Sequence, residues 1–598
     1  MQKTKKNINK IITNNLYMLG FIRKAAPWFI FITCAISFTA LVDTVSNTWF
    51  SKVVFDSMEN RSSFKILIFT ILGLLFLMLI SSILRTIYYQ KCIPKENQKI
   101  TGYLHTFLFE KTRNLDLMYY ENPEFYNKYT RALAEADSRA IAVLSSVSQL
   151  SYSIITLLTL FSIIIYLDPI LIIFALAGAL LSAMISKRLS KLRYEYNYDK
   201  TIFDRKMSYV NRVFYEPQYA KEMKMDSLHF YFIDFYKKVL RDVIYYIKNR
   251  TNKIAWWEFL AGIQNVILQT LMTIFLTWRV YSGVISIGDY AALLNSTFTL
   301  IFQLQSFSTL IPMFYEHSLY IENFKEIIDN EPNIEKDHGI NIDSNEPIEI
   351  EFCNVTFSYP NTNNVVLKDV NLLFSSGDKH AIVGHNGAGK STIIKLILRL
   401  YDVNQGVILI NNKNIKEYNV FSLRKTITTI FQDFQIYAMP ISDYILSHEY
   451  NENIEKDIIM QAIENAGLKQ KFQNNDISVH SNLTKEFDDS GVILSGGENQ
   501  KLAIAKAITK NAGIMIMDEA SSALDPISEY ELNHKMLQIA KGKTLILISH
   551  RLSATKDANI IYYMENGKVL EKGNHNELME LNGNYARMFR VQADSFII

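Results

Sequence analysis

Long apolar runs alternate with charged stretches in the first half of the chain, and short apolar runs alternate with polar turns in the second. Six of the long runs approach the about 20 apolar residues that a helix needs to cross a bilayer. They lie near residues 27–47, 66–88, 140–167, 169–186, 256–280 and 289–315. Six buried helices of a soluble protein would need a soluble partner layer that the sequence lacks. The pattern therefore predicts a six-helix membrane domain over residues 27–317.

The segment before the first run, residues 1–26, is basic and carries no acidic residue. A basic segment before an apolar run also begins a signal peptide. Here the run is the first of six, which favours a retained membrane anchor. Because basic segments stay on the cytoplasmic side, we expect this segment in the cytoplasm, as a helix along the membrane surface.

Two long charged connections, 89–139 and 187–255, separate neighbouring apolar runs. Each contains a short segment rich in aromatic residues with one proline, near 119–130 and 214–222. Proline interrupts helices, so one interpretation is a simple helix break. The other is a short helix that docks onto a partner domain.

Polar residues recur on one face of the fifth run and of the sixth. They are Asn265, Gln269 and Thr273 in the fifth, and Asn295, Thr299, Gln303 and Ser306 in the sixth. Residues spaced by three or four positions share a helix face, and polar groups are unfavourable against lipid. These faces are predicted either to bond to neighbouring helices or to line a substrate cavity.

The pattern changes after residue 317. Residues 318–346 are charged and without apolar runs, which is typical of a linker. In residues 347–598, strand-like runs alternate with helical stretches, which predicts an α/β domain with a mostly parallel sheet. A composition of 49% hydrophobic residues agrees with a membrane part joined to a soluble part, and a net charge of +3 gives no reason to expect nucleic acid.

A glycine-rich loop stands near the start of the α/β part. It reads Gly384-His385-Asn386-Gly387-Ala388-Gly389-Lys390-Ser391, after an apolar run and before Thr392 and a helical stretch. Backbone N–H groups and a helix N-terminus in such a loop bind phosphates. Lys390 is expected to reach the β- and γ-phosphates, and Ser391 to bind Mg²⁺. The alternative is a tight turn without a ligand, but the flanking strand and helix favour a nucleotide.

A later apolar run, 514–517, ends in two carboxylates, Asp518 and Glu519. Asp518 is placed to hold the hydration shell of Mg²⁺, and Glu519 to polarise an attacking water. An acidic pair after a strand is common by itself. Following a phosphate loop in the same domain, it indicates nucleotide hydrolysis.

The segment Leu494-Ser495-Gly496-Gly497-Glu498, called the signature segment below, resembles the signature of ATP-binding cassette (ABC) transporters. Further positions are similar to that family's motifs in the same order: Tyr359, Gln432, Asp525 and His550. The resemblance implies that Tyr359 stacks on adenine and that Gln432 senses Mg²⁺ and water. It also implies that Asp525 lies in the loop joining two nucleotide sites, and that His550 contacts the γ-phosphate.

Six spans before the cassette resemble an exporter-type half-transporter. The resemblance implies a six-span α-helical membrane domain followed by an α/β P-loop ATPase domain with a helical signature subdomain. The segments near 119–130 and 214–222 then correspond to coupling helices. In this family the signature of one copy completes the phosphate loop of another, so Ser495, Gly496 and Gly497 are expected to act in trans. Glu498 departs from the family, which more often has Gln, and is expected to alter nucleotide affinity.

The implied activity is export of an amphipathic substrate across the bacterial cytoplasmic membrane, driven by hydrolysis of ATP to ADP and phosphate. Peptides or antimicrobials, drugs and lipids remain open as substrates; alternatives are a lipid flippase and an ATP-gated channel or membrane regulator. The expected cofactors are ATP and Mg²⁺. A second copy of the chain is the expected partner, with a heterodimer as the alternative. A soluble ATPase acting on nucleic acid is excluded by the six spans.

Overall fold

The computed structural model describes residues 2–61, 63–342, 348–360, 362, 364–473, 477–510, 512–518, 534–549 and 555–594. The chain divides into two compact units. The first comprises Met1–Lys111 and Asn127–Asp329, and the second comprises Thr112–Tyr126 and Asn330–Ile598. The short segment Thr112–Tyr126 thus belongs to the second unit, although its neighbours in sequence on both sides belong to the first.

Long helices account for most of the chain up to Asp329. They are α1 (Gln2–Ala25), α2 (Phe29–Ile36), α3 (Thr39–Glu59), α4 (Phe64–Ile87), α5 (Ile93–Arg113), α6 (Leu117–Glu121), α7 (Pro123–Leu167), α8 (Leu171–Tyr215), α9 (Pro217–Met225), α10 (Leu228–Tyr281) and α11 (Ile287–Asp329), with a π-helical turn, Tyr88–Cys92, between α4 and α5. α7 and α8 each contain 45 residues and α10 contains 54. The helices therefore continue from the apolar runs far into the charged connections.

Within the described residues, five stretches are long and apolar enough to cross a membrane. They are Phe29–Glu59, Phe64–Arg113, Ser138–Leu167, Leu171–Tyr215 and Leu228–Tyr281. Each contains most or all of one of the first five predicted spans. The sixth predicted span, 289–315, lies in the continuous helix α11, which does not reach the same apolar content. Polar residues such as Asn295, Gln303 and Gln305 interrupt its apolar sequence.

Apolar side chains of α7, α8, α10 and α11 form a common core in the first unit. Leu160, Leu171, Met272 and Leu300 in this core are fully buried. Beside it, the carboxylate of Asp168, at the tight turn between α7 and α8, is completely buried and accepts a hydrogen bond of 2.8 Å from Nε of Arg279. A buried charge is tolerated when it is paired in this way.

The linker predicted over 318–346 is wrong at its start, because α11 continues to Asp329. Ile321, Phe324 and Ile328 are buried at the three- to four-residue spacing of an amphipathic helix. The ring of Phe324 lies 5.9 Å from that of Phe21 in α1. Two of the charged residues that suggest a linker also contact α1: Glu322 pairs with Lys10, and the ammonium of Lys325 donates to Asn14 at 2.9 Å.

The second unit contains the α/β fold. Its elements are β1 (Ile350–Ser358), β2 (Val365–Phe374), β3 (Lys379–Gly384), α12 (Lys390–Ile397), β4 (Gln405–Ile410), β5 (Lys413–Asn414), α13 (Val420–Lys425), β6 (Ile427–Ile430), α14 (Ile441–Leu446), α15 (Glu452–Asn465), α16 (Lys469–Gln473), α17 (Gly496–Thr509), β7 (Ile514–Asp518), β8 (Thr544–Ile548), β9 (Ile560–Glu565), β10 (Lys568–Gly573), α18 (His575–Leu581) and α19 (Asn584–Asp594). A short 3₁₀ turn, Ile415–Glu417, precedes α13.

Six strands form the central sheet in the order β10-β9-β3-β8-β7-β6, in which only β10 runs antiparallel to its neighbour. A second, antiparallel sheet has the order β2-β1-β4-β5. Buried residues on one side of the central sheet pack with the second sheet and α12, and those on the other side pack with α14, α15 and α17. Because the parallel strands share one direction, the carboxyl ends of β3, β6 and β7 lie at the same edge of the sheet.

Candidate nucleotide-binding site

The glycine-rich loop connects β3, in the middle of the central sheet, to α12. Gly384 has a φ of +149°, and a Cβ there would lie 2.1 Å from the carbonyl oxygen of Met564 in β9. Gly389, which precedes the first turn of α12, has a φ of +100°. Both positions require glycine, and they turn the chain so that the N–H groups at the start of α12 face the loop.

Lys390 is held inside this loop. Its side chain is nearly buried, and its ammonium donates hydrogen bonds to the carbonyl oxygens of Gly384 at 2.8 Å and His385 at 3.0 Å. His385, Asn386 and Gly387 form the exposed crest of the loop, whereas Ala388 is buried. Ser391 is exposed in the first turn of α12. The loop thus presents a positive charge and a hydroxyl group beside a helix N-terminus, as polyphosphate binding requires.

Tyr359 lies next to the same loop. Its hydroxyl is 3.1 Å from Oγ1 of Thr392, the residue after Ser391. The rings of Phe357 and Tyr401 pack edge-on against its ring at 5.1 and 5.3 Å. These neighbours fix the ring in position, so an aromatic surface stands beside the phosphate loop.

Asp518 and Gln432 lie at the carboxyl ends of neighbouring parallel strands. Asp518 ends β7 and is nearly buried, and Gln432 follows β6, whose last residue, Ile430, pairs with Met517 of β7. Both therefore stand at the carboxyl edge that also carries the phosphate loop. The hydroxyl of Ser391, the amide of Gln432 and the carboxylate of Asp518 supply oxygen atoms, which Mg²⁺ prefers. Of the remaining predicted site residues, Glu519, Asp525 and His550 lie outside the described residues.

The signature segment forms the start of α17. The hydroxyl of Ser495 accepts a hydrogen bond from N–H of Glu498 at 3.3 Å, and the carboxylate of Glu498 accepts one from N–H of Ser495 at 2.8 Å. This reciprocal capping box fixes the helix start. Ser495 and Gly496 are exposed and Gly497 is partly exposed, so the helix N-terminus opens toward solvent.

Sequence reasoning missed one residue here, Lys471 of α16. Its ammonium lies 2.7 Å from the second carboxylate oxygen of Glu498. This bond is the main reason that the pKa of Glu498 is lowered, and the hydrogen bond from N–H of Ser495 adds to it. Lys471 stands in a different helix, so no local spacing rule connects the two residues.

The first aromatic-proline segment packs onto the α/β fold. Leu117 and Met118 contact the core that contains Phe357 and Tyr401. Glu121 accepts hydrogen bonds from the hydroxyl of Tyr401 and, at 3.3 Å, from the ammonium of Lys395. Burial and Glu121 together raise the pKa of Tyr401, so its hydroxyl stays protonated and donates. The first segment thus packs within the α/β unit, and its role as a coupling helix stays a prediction.

The bounds of this helix differ from the prediction. The short helix is α6, Leu117–Glu121, and the rest of the predicted segment 119–130 mostly belongs to α7, because Pro123 begins a new helix. Asp116, just before α6, bonds to the chain that follows α11. Its carboxylate accepts hydrogen bonds of 2.8 to 3.1 Å from the N–H groups of residues 333–335. The second segment forms α9, Pro217–Met225, within the first unit.

Several predicted substrate-cavity residues bond to other helices of the same chain. Nε2 of Gln303 donates to Oγ of Ser153 at 2.7 Å, and Oγ of Ser306 accepts from Gln149 at 3.1 Å. Oδ1 of Asn265 accepts from Gln305 at 2.6 Å. Thr273 and Thr299 instead donate to the backbone of their own helices, to the carbonyls of Gln269 and Asn295. The inter-helix interpretation is favoured for the first three.

Comparison with known proteins agrees with this geometry. Residues 367–522 match the family "ABC transporter". The subtilin transport ATP-binding protein SpaT of Bacillus subtilis is 29% identical over 489 residues, which cover 81% of this chain and 79% of that protein. The ATP-dependent lipid A-core flippase of Escherichia coli (strain K12) is 31% identical over 56% of this chain and 57% of that protein.

A solved structure of a bacterial Atm1-family ABC exporter with ATP bound superposes with a TM-score of 0.76, at 22% identity, and covers 96% of this chain and 98% of that one. This likeness extends the shared fold over both units. The fold and the phosphate loop together define a membrane-attached P-loop ATPase. Residues 367–522 belong to the ABC transporter family, and the whole chain has the fold arrangement of an ABC exporter, in which the membrane domain precedes the nucleotide-binding domain on one polypeptide.

Proposed function

We propose that two copies of this chain form an exporter that uses ATP hydrolysis to move an amphipathic substrate out of the cytoplasm by alternating access. One observation carries the proposal: a phosphate loop with Lys390 in place lies on the same chain as helices long enough to cross a membrane, of which the described residues contain five. The ATPase domain and the basic N-terminus would face the cytoplasm, where ATP is available.

ATP would lie between Tyr359 and the phosphate loop. The ring of Tyr359 would stack on adenine, and Lys390 and the N–H groups at the start of α12 would hold the phosphates. Mg²⁺, held by Ser391, Gln432 and Asp518, would neutralise charge on the phosphates. Glu519 would polarise the attacking water, with Gln432 and His550 at the γ-phosphate.

The second copy would complete each site. Ser495, Gly496 and Gly497 stand at an exposed helix start, which suits an anion brought by another molecule. ATP binding would then draw two ATPase domains together. Because Glu121 of the first coupling segment bonds to Tyr401 and Lys395 within the ATPase unit, a shift of this unit is expected to move the ends of α5 and α7 with it.

The substrate class is proposed as an amphipathic peptide. The similarity to the subtilin transport protein covers 81% of this chain and so extends well into the membrane part, whereas the similarity to the E. coli flippase covers 56%. Lipid flipping is the second candidate. It is favoured by the higher identity of the flippases, up to 37% over 41% of the chain.

Transport into inside-out proteoliposomes tests the proposal. We expect ATP-dependent uptake of an amphipathic peptide to a concentration above that outside, and no such uptake by Glu519→Gln, which keeps ATP binding but loses hydrolysis by about 10³-fold. A fluorescent lipid and a cationic drug in parallel assays identify the substrate class. Flux that only dissipates a gradient would instead establish an ATP-gated channel. Near-normal phosphate release by Glu519→Gln would show that Glu519 is not the catalytic base.

A further inference from the structure

The acidic residue of the signature segment, Glu498, is held by two partners. One carboxylate oxygen accepts the N–H of Ser495 at 2.8 Å, and the other lies 2.7 Å from the ammonium of Lys471. About a quarter of the Glu498 side chain is exposed, against 42% of the Lys471 side chain. The pair is therefore partly shielded from water and stands beside the exposed residues Ser495 and Gly496.

This position creates an electrostatic problem for the proposed reaction. If the signature segment receives the γ-phosphate of the partner's ATP, a carboxylate in the first turn of α17 would repel that anion. Such repulsion is strong at short distance and weakly screened where water is excluded. Glutamine, which the family more often carries here, brings no charge and would not cause it.

We propose that Lys471 is a positioning residue for ATP hydrolysis, which neutralises Glu498 so that an acidic signature segment can accept the partner's ATP. The proposal rests on the proposed function, in which the signature segment acts in trans. Lys471 itself would not touch ATP; it would act by holding the charge and direction of Glu498. Its chemistry suits this role, because an ammonium carries a full positive charge and can direct it to one carboxylate oxygen.

A purely structural role predicts something different. Lys471 belongs to α16 and Glu498 to α17, so their bond also ties two helices together. If tethering were its purpose, loss of both partners would be as harmful as loss of one. If charge neutralisation were its purpose, loss of both charges together would be nearly harmless.

The chain offers a matched control in the same short helix. Lys469 lies two residues before Lys471, and its ammonium is 2.5 Å from a carboxylate oxygen of Glu464. Both side chains are about half exposed, and this pair is not part of the signature segment. Lys469→Met therefore removes the same kind of charge and bond from α16 without affecting Glu498.

Steady-state ATPase kinetics of the full-length protein in detergent distinguish these roles. We expect Lys471→Met to raise KM for ATP about five- to ten-fold, with kcat within about two-fold, because repulsion opposes association of ATP with the signature segment. Lys471→Arg and the double variant Lys471→Met/Glu498→Gln should return KM to within about two-fold of the unmodified protein. Lys469→Met should leave KM unchanged.

Two results would overturn the proposal: an unchanged KM for Lys471→Met, or a double variant as impaired as Lys471→Met alone. A cooperative thermal unfolding transition within a few degrees of that of the unmodified protein confirms that the variants are folded. Ser495→Arg separates this proposal from the proposed function. If Ser495→Arg still hydrolyses ATP, the two-chain site is wrong. If Ser495→Arg is inactive and Lys471→Met has an ordinary KM, only the role of Lys471 is wrong.

Discussion

Two helix starts in the ATPase unit, those of α12 and α17, differ in how their first N–H groups are satisfied. α12 begins after Gly389, which has no side chain to cap the helix, and the adjacent ammonium of Lys390 bonds to loop carbonyls. α17 begins at Ser495, which forms a capping box with Glu498. Both starts carry the partial positive charge of a helix N-terminus, but only the first leaves it without a carboxylate.

The difference indicates that the two helix starts would bind a phosphate in different ways. The start of α12 is arranged to bind phosphate directly, since no side chain caps it and Lys390 adds positive charge beside the helix N-terminus. The start of α17 is already stabilised by its own side chains, so it keeps its shape before a ligand arrives. We therefore expect α12 to determine ATP binding by one chain and α17 to determine hydrolysis between two chains.

The largest expected effect is at α12. Lys390→Ala removes the charge proposed to hold the β- and γ-phosphates, so both ATP binding and ATPase activity should fall, the latter by about 10³-fold. Fluorescent-nucleotide titration and phosphate release by the full-length protein measure the two. The matched control is Lys416→Ala, which removes a half-exposed lysine paired with Asp402 at 3.6 Å. Ordinary ATP affinity of Lys390→Ala would contradict the role assigned to the α12 start.

The corresponding change at α17 should separate binding from hydrolysis. Ser495→Arg places a large side chain where the proposed dimer brings a second chain, so ATPase activity should fall by about 10²-fold or more. ATP binding by a single chain should be retained, because Tyr359 and Lys390 are untouched. Asn453→Arg in the exposed first turn of α15 is the control. Loss of ATP binding by Ser495→Arg would show that the two helix starts do not act separately.

The same two helix starts show what the sequence could predict. The phosphate loop was predictable in detail, because strand, loop, lysine and helix follow one another within a few residues and backbone geometry fixes their relation. The signature segment was predictable only in part. Its pattern of Ser495 and Glu498 is local, whereas the partner of Glu498 is in α16, and only the packing of α16 against the start of α17 brings Lys471 there.

In the membrane part, too, local patterns were predictable, whereas contacts between distant segments were not. Apolar runs predicted helices, but their lengths were underestimated. In α11, charged residues are interspersed with the buried residues Ile321, Phe324 and Ile328 and so interrupt the apolar run in the sequence. The polar residues of the fifth and sixth spans left two interpretations open. Their hydrogen bonds depend on which helices are neighbours, as with Gln303 and Ser153. The spacing of residues along one helix does not predict which other helices lie next to it.

The smallest expected effect concerns the charge that distinguishes α17 from α12. The pKa of Glu498 is lowered in the folded protein, chiefly by Lys471. A lowered pKa means that ionised Glu498 stabilises the fold above the unfolded value of about 4.3 and that this contribution is lost as pH falls through the folded value. The Tm of the unmodified protein in detergent should therefore exceed that of Glu498→Gln at pH 7, by a few degrees at most. The two Tm values should converge in acid, below the folded pKa. The control is Glu464→Gln, which removes the exposed carboxylate paired with Lys469, and its Tm should differ little from that of the unmodified protein at either pH. A Tm difference between the unmodified protein and Glu498→Gln that persists unchanged in acid would show that the shape of the capping box, and not the charge of Glu498, stabilises the start of α17.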